Sequence, residues 1–165
     1  MKILDIWISA KEIQKRVKHE TTDLAKGRTN QQGQSLFDNL VMDEDQSLLF
    51  RTYFREACAM AHDKCAAYTK SSPALNGEDD ADITHLDEDF YIILSMPETF
   101  PIAVSSLIDQ AIYNHLITFV IYRWLETKLS NEAQLFRLRS EQNLSELSSR
   151  LERRTTLLQR PYRPM

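Results

Sequence analysis

From Val104 onward the chain lays down an apolar face at helical spacing, through Leu107, Ile108, Ala111, Ile112 and Leu116. After Ile117 almost every side of that helix is apolar. A helix that is hydrophobic nearly all round has to be enclosed by protein. This segment therefore belongs at the centre, and the remaining elements must wrap it. It is not read as a membrane span: its most apolar part, Leu116 to Leu125, contains Arg123 and is about half the length a bilayer requires.

The wrapping elements follow from the same kind of pattern. Ile3 to Ile8 is a short strand or an extended lead-in. Ser9 and Glu12 have the spacing of a capping box, in which each side chain satisfies a free backbone N–H. Behind them Ala10, Ile13, Val17 and Leu24 recur at helical spacing, and Gly27 is placed to end the helix. Residues 28–34 are polar, contain Gly33 and read as a mobile loop.

A second helix is expected from Asp43, with Gln46 as its capping partner. Its apolar positions are Leu49, Phe50, Tyr53, Phe54, Ala57, Cys58, Ala61, Cys65 and Tyr68. It should stop before Pro73, because the residue ahead of a proline avoids helical backbone. Phe90, Ile92, Leu94 and Met96 alternate in the strand period and end at Pro97. That strand should pair with the segment around Ile83 or with Ile3 to Ile8. Pro101 opens the central helix.

Asn131 and Gln134 are spaced to cap a fourth helix. Its apolar stripe is thin: Ala133, Phe136, Leu144, Leu147, Leu151 and Leu158. The expected fold is mainly α, a bundle of about four helices with a small β element and an extended C-terminal arm. Residues 1–158 form one helical domain, with an acidic loop at 71–89 inside it, and residues 159–165 form the arm.

Only three glycines and five prolines occur, which argues against a sheet-rich fold with many tight turns. The net charge of −4 gives no general attraction to nucleic acid, but the charge is unevenly spread. Glu78, Asp79, Asp80, Asp82, Asp87, Glu88 and Asp89 crowd one stretch without a Lys or Arg, while Arg150, Arg153, Arg154, Arg160 and Arg163 dominate the C-terminal end. The arm residues Arg153, Arg154, Arg160, Pro161, Tyr162 and Arg163 form an assembly element, and the acidic stretch is its complementary surface. No secretory leader is expected, because Asp5 interrupts the apolar run after Ile3 and Leu4.

Candidate chemistry is sparse. Cys58, His62 and Cys65 share a helix face, yet no second Cys-rich element supplies further ligands, and the thiols continue the core stripe. They read as core thiols of a reducing compartment; at about 10 Å apart along a helix they are too far for a disulfide. A calcium loop starting at Asp80 fails, since His85 stands where glycine is needed and Tyr91 where glutamate is needed. His19, His62, His85 and His115 are scattered. No phosphate-binding glycine loop, nucleophile elbow or metalloprotease motif occurs. Catalytic, cofactor-binding and metal residues are therefore expected to be none.

Several strings resemble small helical proteins encoded in phage and prophage structural gene clusters. They are Thr21-Thr22-Asp23-Leu24-Ala25-Lys26; Asp43-Glu44-Asp45-Gln46 running to Phe54-Arg55-Glu56-Ala57-Cys58; Tyr122-Arg123-Trp124-Leu125; and Arg153-Arg154-Thr155 with Arg160-Pro161. With the expected architecture, they are similar to head–tail connector (adaptor) subunits. The resemblance implies a non-enzymatic ring of identical copies contacting portal and tail proteins, in the host cytoplasm or in the virion. Two alternatives stand beside it. One is a nucleic-acid-binding accessory protein that uses the basic tail, since Tyr162 among Arg and Pro offers a stacking group for RNA. The other is a metal- or cysteine-dependent enzyme. The connector reading involves no membrane, and DNA contact is allowed but not required.

Overall fold

A computed structural model describes residues 1–69 and 89–155. Two antiparallel strands, β1 (Lys2–Ile8) and β2 (Phe90–Met96), form its only sheet among the described residues. The alternation of Phe90, Ile92, Leu94 and Met96 does what a two-residue period requires and puts all four inside. Their partner is the N-terminal segment rather than the region of Ile83: Ile3 pairs with Ser95, Asp5 with Ile93 and Trp7 with Tyr91.

Helix α1 (Ala10–Ala25) follows at once and buries Ile13, Val17, Thr21 and Ala25. Ser9 stands at its N-cap, but the expected capping box does not form, since the Ser9 side chain makes no cap bond. Asp89 does the capping from across the fold, its Oδ1 accepting from the Ala10 N–H at 2.8 Å. A carboxylate is the stronger acceptor at this position, where the helix dipole favours negative charge. Gly27, at φ 71°, ends the helix in the left-handed conformation that other residues resist. Residues 28–34 are more ordered than a plain loop. Thr29 bridges Ser35, and the Asn30 carboxamide oxygen accepts from the backbone N–H groups of Gln32 and Gln34.

A single short turn of helix, α2 (Phe37–Leu40), leads to Asp43, whose side chain accepts from the Glu44 N–H. After a 3-10 turn at Glu44–Gln46 comes α3 (Ser47–Cys65), closed by a second 3-10 turn at Ala66–Tyr68. Gln46 makes no cap bond. The helix is shorter than the sequence pattern suggests, because Thr69 becomes extended and bridges Leu94 at the free edge of β2. Pairing with the sheet stops the helix before Pro73 can.

Helix α4 (Ser105–Leu125) enters through a 3-10 turn at Ile102–Val104 with Pro101 as its N-cap. It is the axis of the fold and buries eleven of its residues, from Ile108 to Leu125. A buried aliphatic or aromatic side chain is worth about 1.5–3 kcal/mol, so this helix carries much of the core. Helix α5 (Ser130–Leu151) packs antiparallel along it: Arg150 donates to the Leu107 carbonyl near one end, and Ser140 meets His115 midway. Asn131 and Gln134 do not cap α5, whose N-cap is Leu129. Its first turn is instead tied to the end of α1 by the Arg28–Glu132 ion pair at 2.6 Å. The helix ends at Leu151, and Leu158 of the expected stripe lies outside the described residues. Arg154 folds back there, donating to the Leu151 and Arg153 carbonyls with its guanidinium over the Tyr68 ring. The chain is thus a mainly helical bundle with a small antiparallel sheet. No helix among the described residues is long and apolar enough to cross a membrane.

Candidate assembly surfaces

The interior holds one polar constellation that the sequence did not announce. His115 and Ser140 are buried, and their side chains meet at 2.9 Å. His115 Nε2 lies 3.1 Å from the Ala57 carbonyl. A carbonyl can only accept, so Nε2 carries the proton, and Nδ1 must accept from the Ser140 hydroxyl. A hydroxyl donating to an imidazole is half of a nucleophilic triad. Here, however, Ser140 is 3% exposed and His115 0%, so the hydroxyl has no opening to a substrate. The arrangement bolts α3, α4 and α5 together. Burial, partly opposed by the two hydrogen bonds, lowers the His115 pKa to about 4. Its only sequence signal was a histidine within an apolar run.

The Cys58/His62/Cys65 face behaves as a packing surface. Burial raises both thiols to about 12, which keeps them protonated and inert near neutrality. The His62 ring rests 4.7 Å from that of Phe90, and burial lowers its pKa. Among the described residues no three His, Cys, Asp or Glu side chains converge as metal ligands would.

The charged residues expected to make an assembly site divide unevenly. Glu78, Asp79, Asp80, Asp82, Asp87 and Glu88 lie outside the described residues, as do Arg160, Pro161, Tyr162 and Arg163. Asp89 is inside and is occupied by α1 and by Trp7, whose Nε1–H donates to its Oδ2 at 3.1 Å. Arg153 is exposed, whereas Arg154 is folded against its own domain. Arg150 bonds the Leu107 carbonyl and pairs with Glu146, so it is a structural residue of the α4–α5 seam.

Among the described residues, two regions carry most of the large apolar side chains that remain outside. The first surrounds Trp124, near the C-terminal end of α4. Trp124 is 6% exposed, and its Nε1–H donates to the Leu40 carbonyl at 2.8 Å, tying α2 to this end. The first half of α3 reaches the neighbouring Arg123, whose guanidinium sits 5.4 Å from the Tyr53 ring centroid and pairs with Glu56. The first half of α5 lies there as well. On these three elements Phe37, Leu48, Leu49, Leu135 and Leu138 face outward, with Leu48 77% and Leu138 60% exposed. The same elements carry the ion pairs Arg123–Glu126, Arg137–Glu141 and Arg28–Glu132.

The second region is the outer face of the hairpin. The register places Ile3, Asp5 and Trp7 beside Ser95, Ile93 and Tyr91, with Trp7 64% and Ile3 59% exposed. Asp89 holds the Trp7 indole. Tyr91 hydrogen-bonds Asp5, and its pKa is raised first by burial and then by the Asp5 charge. This face lies toward the other end of α4, since Lys2 donates to the Phe100 carbonyl just ahead of that helix.

Compared with family models, with curated proteins and with solved structures, the chain matches none.

Proposed function

We propose that this chain is a non-enzymatic assembly subunit that builds a closed ring from copies of itself, as a phage head–tail connector does. The observation that carries the reading is the set of outward apolar side chains, Phe37, Leu48, Leu49, Leu135 and Leu138, on the elements gathered around Trp124. Single exposed leucines are ordinary; several on elements that also carry ion pairs have the composition of an interface. The interior chemistry agrees, because its histidine, serine and thiols are turned to packing. One of the strings that resemble connector proteins, Tyr122-Arg123-Trp124-Leu125, lies at this end. A ring requires two different patches on each copy, one meeting the other head to tail. The side chains concerned come from α2, α3 and α5, which can supply both. Portal and tail proteins, in the virion or during its assembly in the host cytoplasm, are the proposed further partners.

Electron microscopy of the concentrated protein tests this directly. Closed rings of one size are expected. Particles that stay single at every concentration, alone and with a portal protein, would remove the reading.

A further inference from the structure

We infer that neighbouring copies meet through two different patches, Leu135 and Leu138 on α5 of one copy packing against Leu48 and Leu49 on α3 of the next. The inference rests on the assembly reading and deepens it by naming which surface meets which.

Position is the first ground. Leu48 and Leu49 stand in the first turn of α3, and Leu135 and Leu138 lie three residues apart in the first half of α5, so each pair makes one compact apolar spot. All four are exposed among the described residues. The described residues break off at the hairpin: Thr69 bridges Leu94, Asp89 precedes β2, and Thr155 bonds the Thr99 carbonyl in the turn after β2. Thr69 lies beyond the far end of α3, about 25 Å from Leu48 along the axis, and Thr155 lies beyond the far end of α5, about 20 Å from Leu138.

Charge is the second ground. Ahead of Leu48 the turn Glu44–Gln46 holds out Glu44 and Asp45, both exposed. Lys18 is bonded to Asp43 at 2.7 Å and reaches Glu44 only at 3.8 Å, and Asp45 has no ion pair among the described residues. Arg51, one turn along, is on the α1 side of the helix, where it lines a cleft with Lys11 and Gln14. The flank of the α3 patch is therefore acidic. On α5 the balance is opposite. Glu132 is matched by Arg28 and Glu141 by Arg137. Arg139, one turn on from Leu135, sits over the Phe136 ring at 5.3 Å and has no ion pair among the described residues. The unmatched charge beside the α5 patch is positive.

Either patch meeting itself would bring like charges together, Asp45 to Asp45 or Arg139 to Arg139. The two patches meeting each other cover four leucines and set Arg139 against Asp45 and Glu44. The topology agrees. A patch used twice stops at a two-fold dimer, whereas two different patches continue from copy to copy and close into a ring when the rotation permits.

Sedimentation velocity of full-length chains over a range of concentrations tests the pairing. One variant, Leu48→Glu/Leu49→Glu, loses the α3 patch; the other, Leu135→Glu/Leu138→Glu, loses the α5 patch. Each alone should remain a single chain with the melting midpoint of the wild type. Mixed in equal amounts, they should form dimers with one copy of each and nothing larger, because each keeps one member of the complementary pair. Misfolded chains could not produce that result. Asp45→Arg and Arg139→Glu should each raise the concentration needed for assembly several-fold, and the two together in one chain should bring it back. A leucine variant that forms dimers alone would show a patch meeting itself and would overturn the inference, as would a mixture that stays single. In both cases the wild type still assembles, so the assembly reading survives. A wild type that stays single at every concentration would remove both.

Discussion

The two tryptophans of this chain do opposite things. Trp124 is enclosed near the end of α4, its ring under the Lys128 ammonium at 3.9 Å and its indole N–H given to the Leu40 carbonyl. Trp7 stands on the outer face of a strand, 64% exposed, with its N–H given to Asp89. Each indole N–H has a partner, so hydrogen bonding does not separate them. Burial does. One tryptophan holds α2 and α4 together, and the other presents a large apolar surface whose orientation is already fixed. Aromatic mass inside a domain contributes to stability, and the same mass held rigid outside is suited to binding.

The widest difference between the regions should appear on truncation. Trp124→Ala removes a buried ring and orphans the Leu40 carbonyl, and should cost about 3–5 kcal/mol, measured by denaturant unfolding. Trp7→Ala should cost less than about 1 kcal/mol, since Asp89 keeps its bond to Ala10. Equal losses at the two sites would break the comparison.

Acid should then strike the core and spare the hairpin. His115 is neutral when folded, with its pKa lowered to about 4 by burial, and returns to its ordinary value near 6.5 on unfolding. Above pH 6.5 it contributes no pH dependence. Between pH 6.5 and 4 the unfolded chain binds the extra proton, so stability falls with pH, by about 3 kcal/mol in total. Unfolding free energy followed over that range should show the loss, and His115→Gln should flatten it. An unchanged slope in the variant would mean that His115 is not the group being titrated.

A smaller effect concerns the thiols of α3. Because burial raises both to about 12, alkylation of the native protein at neutral pH should be slow for Cys58 and slower for the fully buried Cys65. Both should react at once in denaturant. Rapid native labelling would show that this face opens.

Much of the fold was legible because its largest elements obey one period each. The all-round apolar character of Val104 to Leu125 identified the central helix, and the alternation from Phe90 to Met96 identified a strand. The ends of elements were less legible, because distant residues decide them. Asp89 caps α1 in place of Ser9, Thr69 leaves its helix to meet Leu94, and Glu132 is held by Arg28. Local spacing carries no trace of such contacts. The sequence's charge pattern points to the acidic run and the basic tail, most of which lies outside the described residues. Of the outward apolar side chains, Leu49 belongs by spacing to the helical stripe, whereas Leu135 and Leu138 fall outside the stripe of their helix. Periodicity tells which residues share a face, while exposure depends on whether another element arrives to cover it.

The claim that the Trp124 end is an assembly surface is tested most directly by sedimentation velocity of the full chain. Wild type should be compared over a range of concentrations with a Leu135→Glu/Leu138→Glu variant. Both leucines are exposed, so the variant should fold and melt as the wild type does. The wild type should form a discrete species of several copies as concentration rises, and the variant should remain a single chain throughout. A variant that assembles as the wild type does, or a wild type that never assembles, would contradict the account.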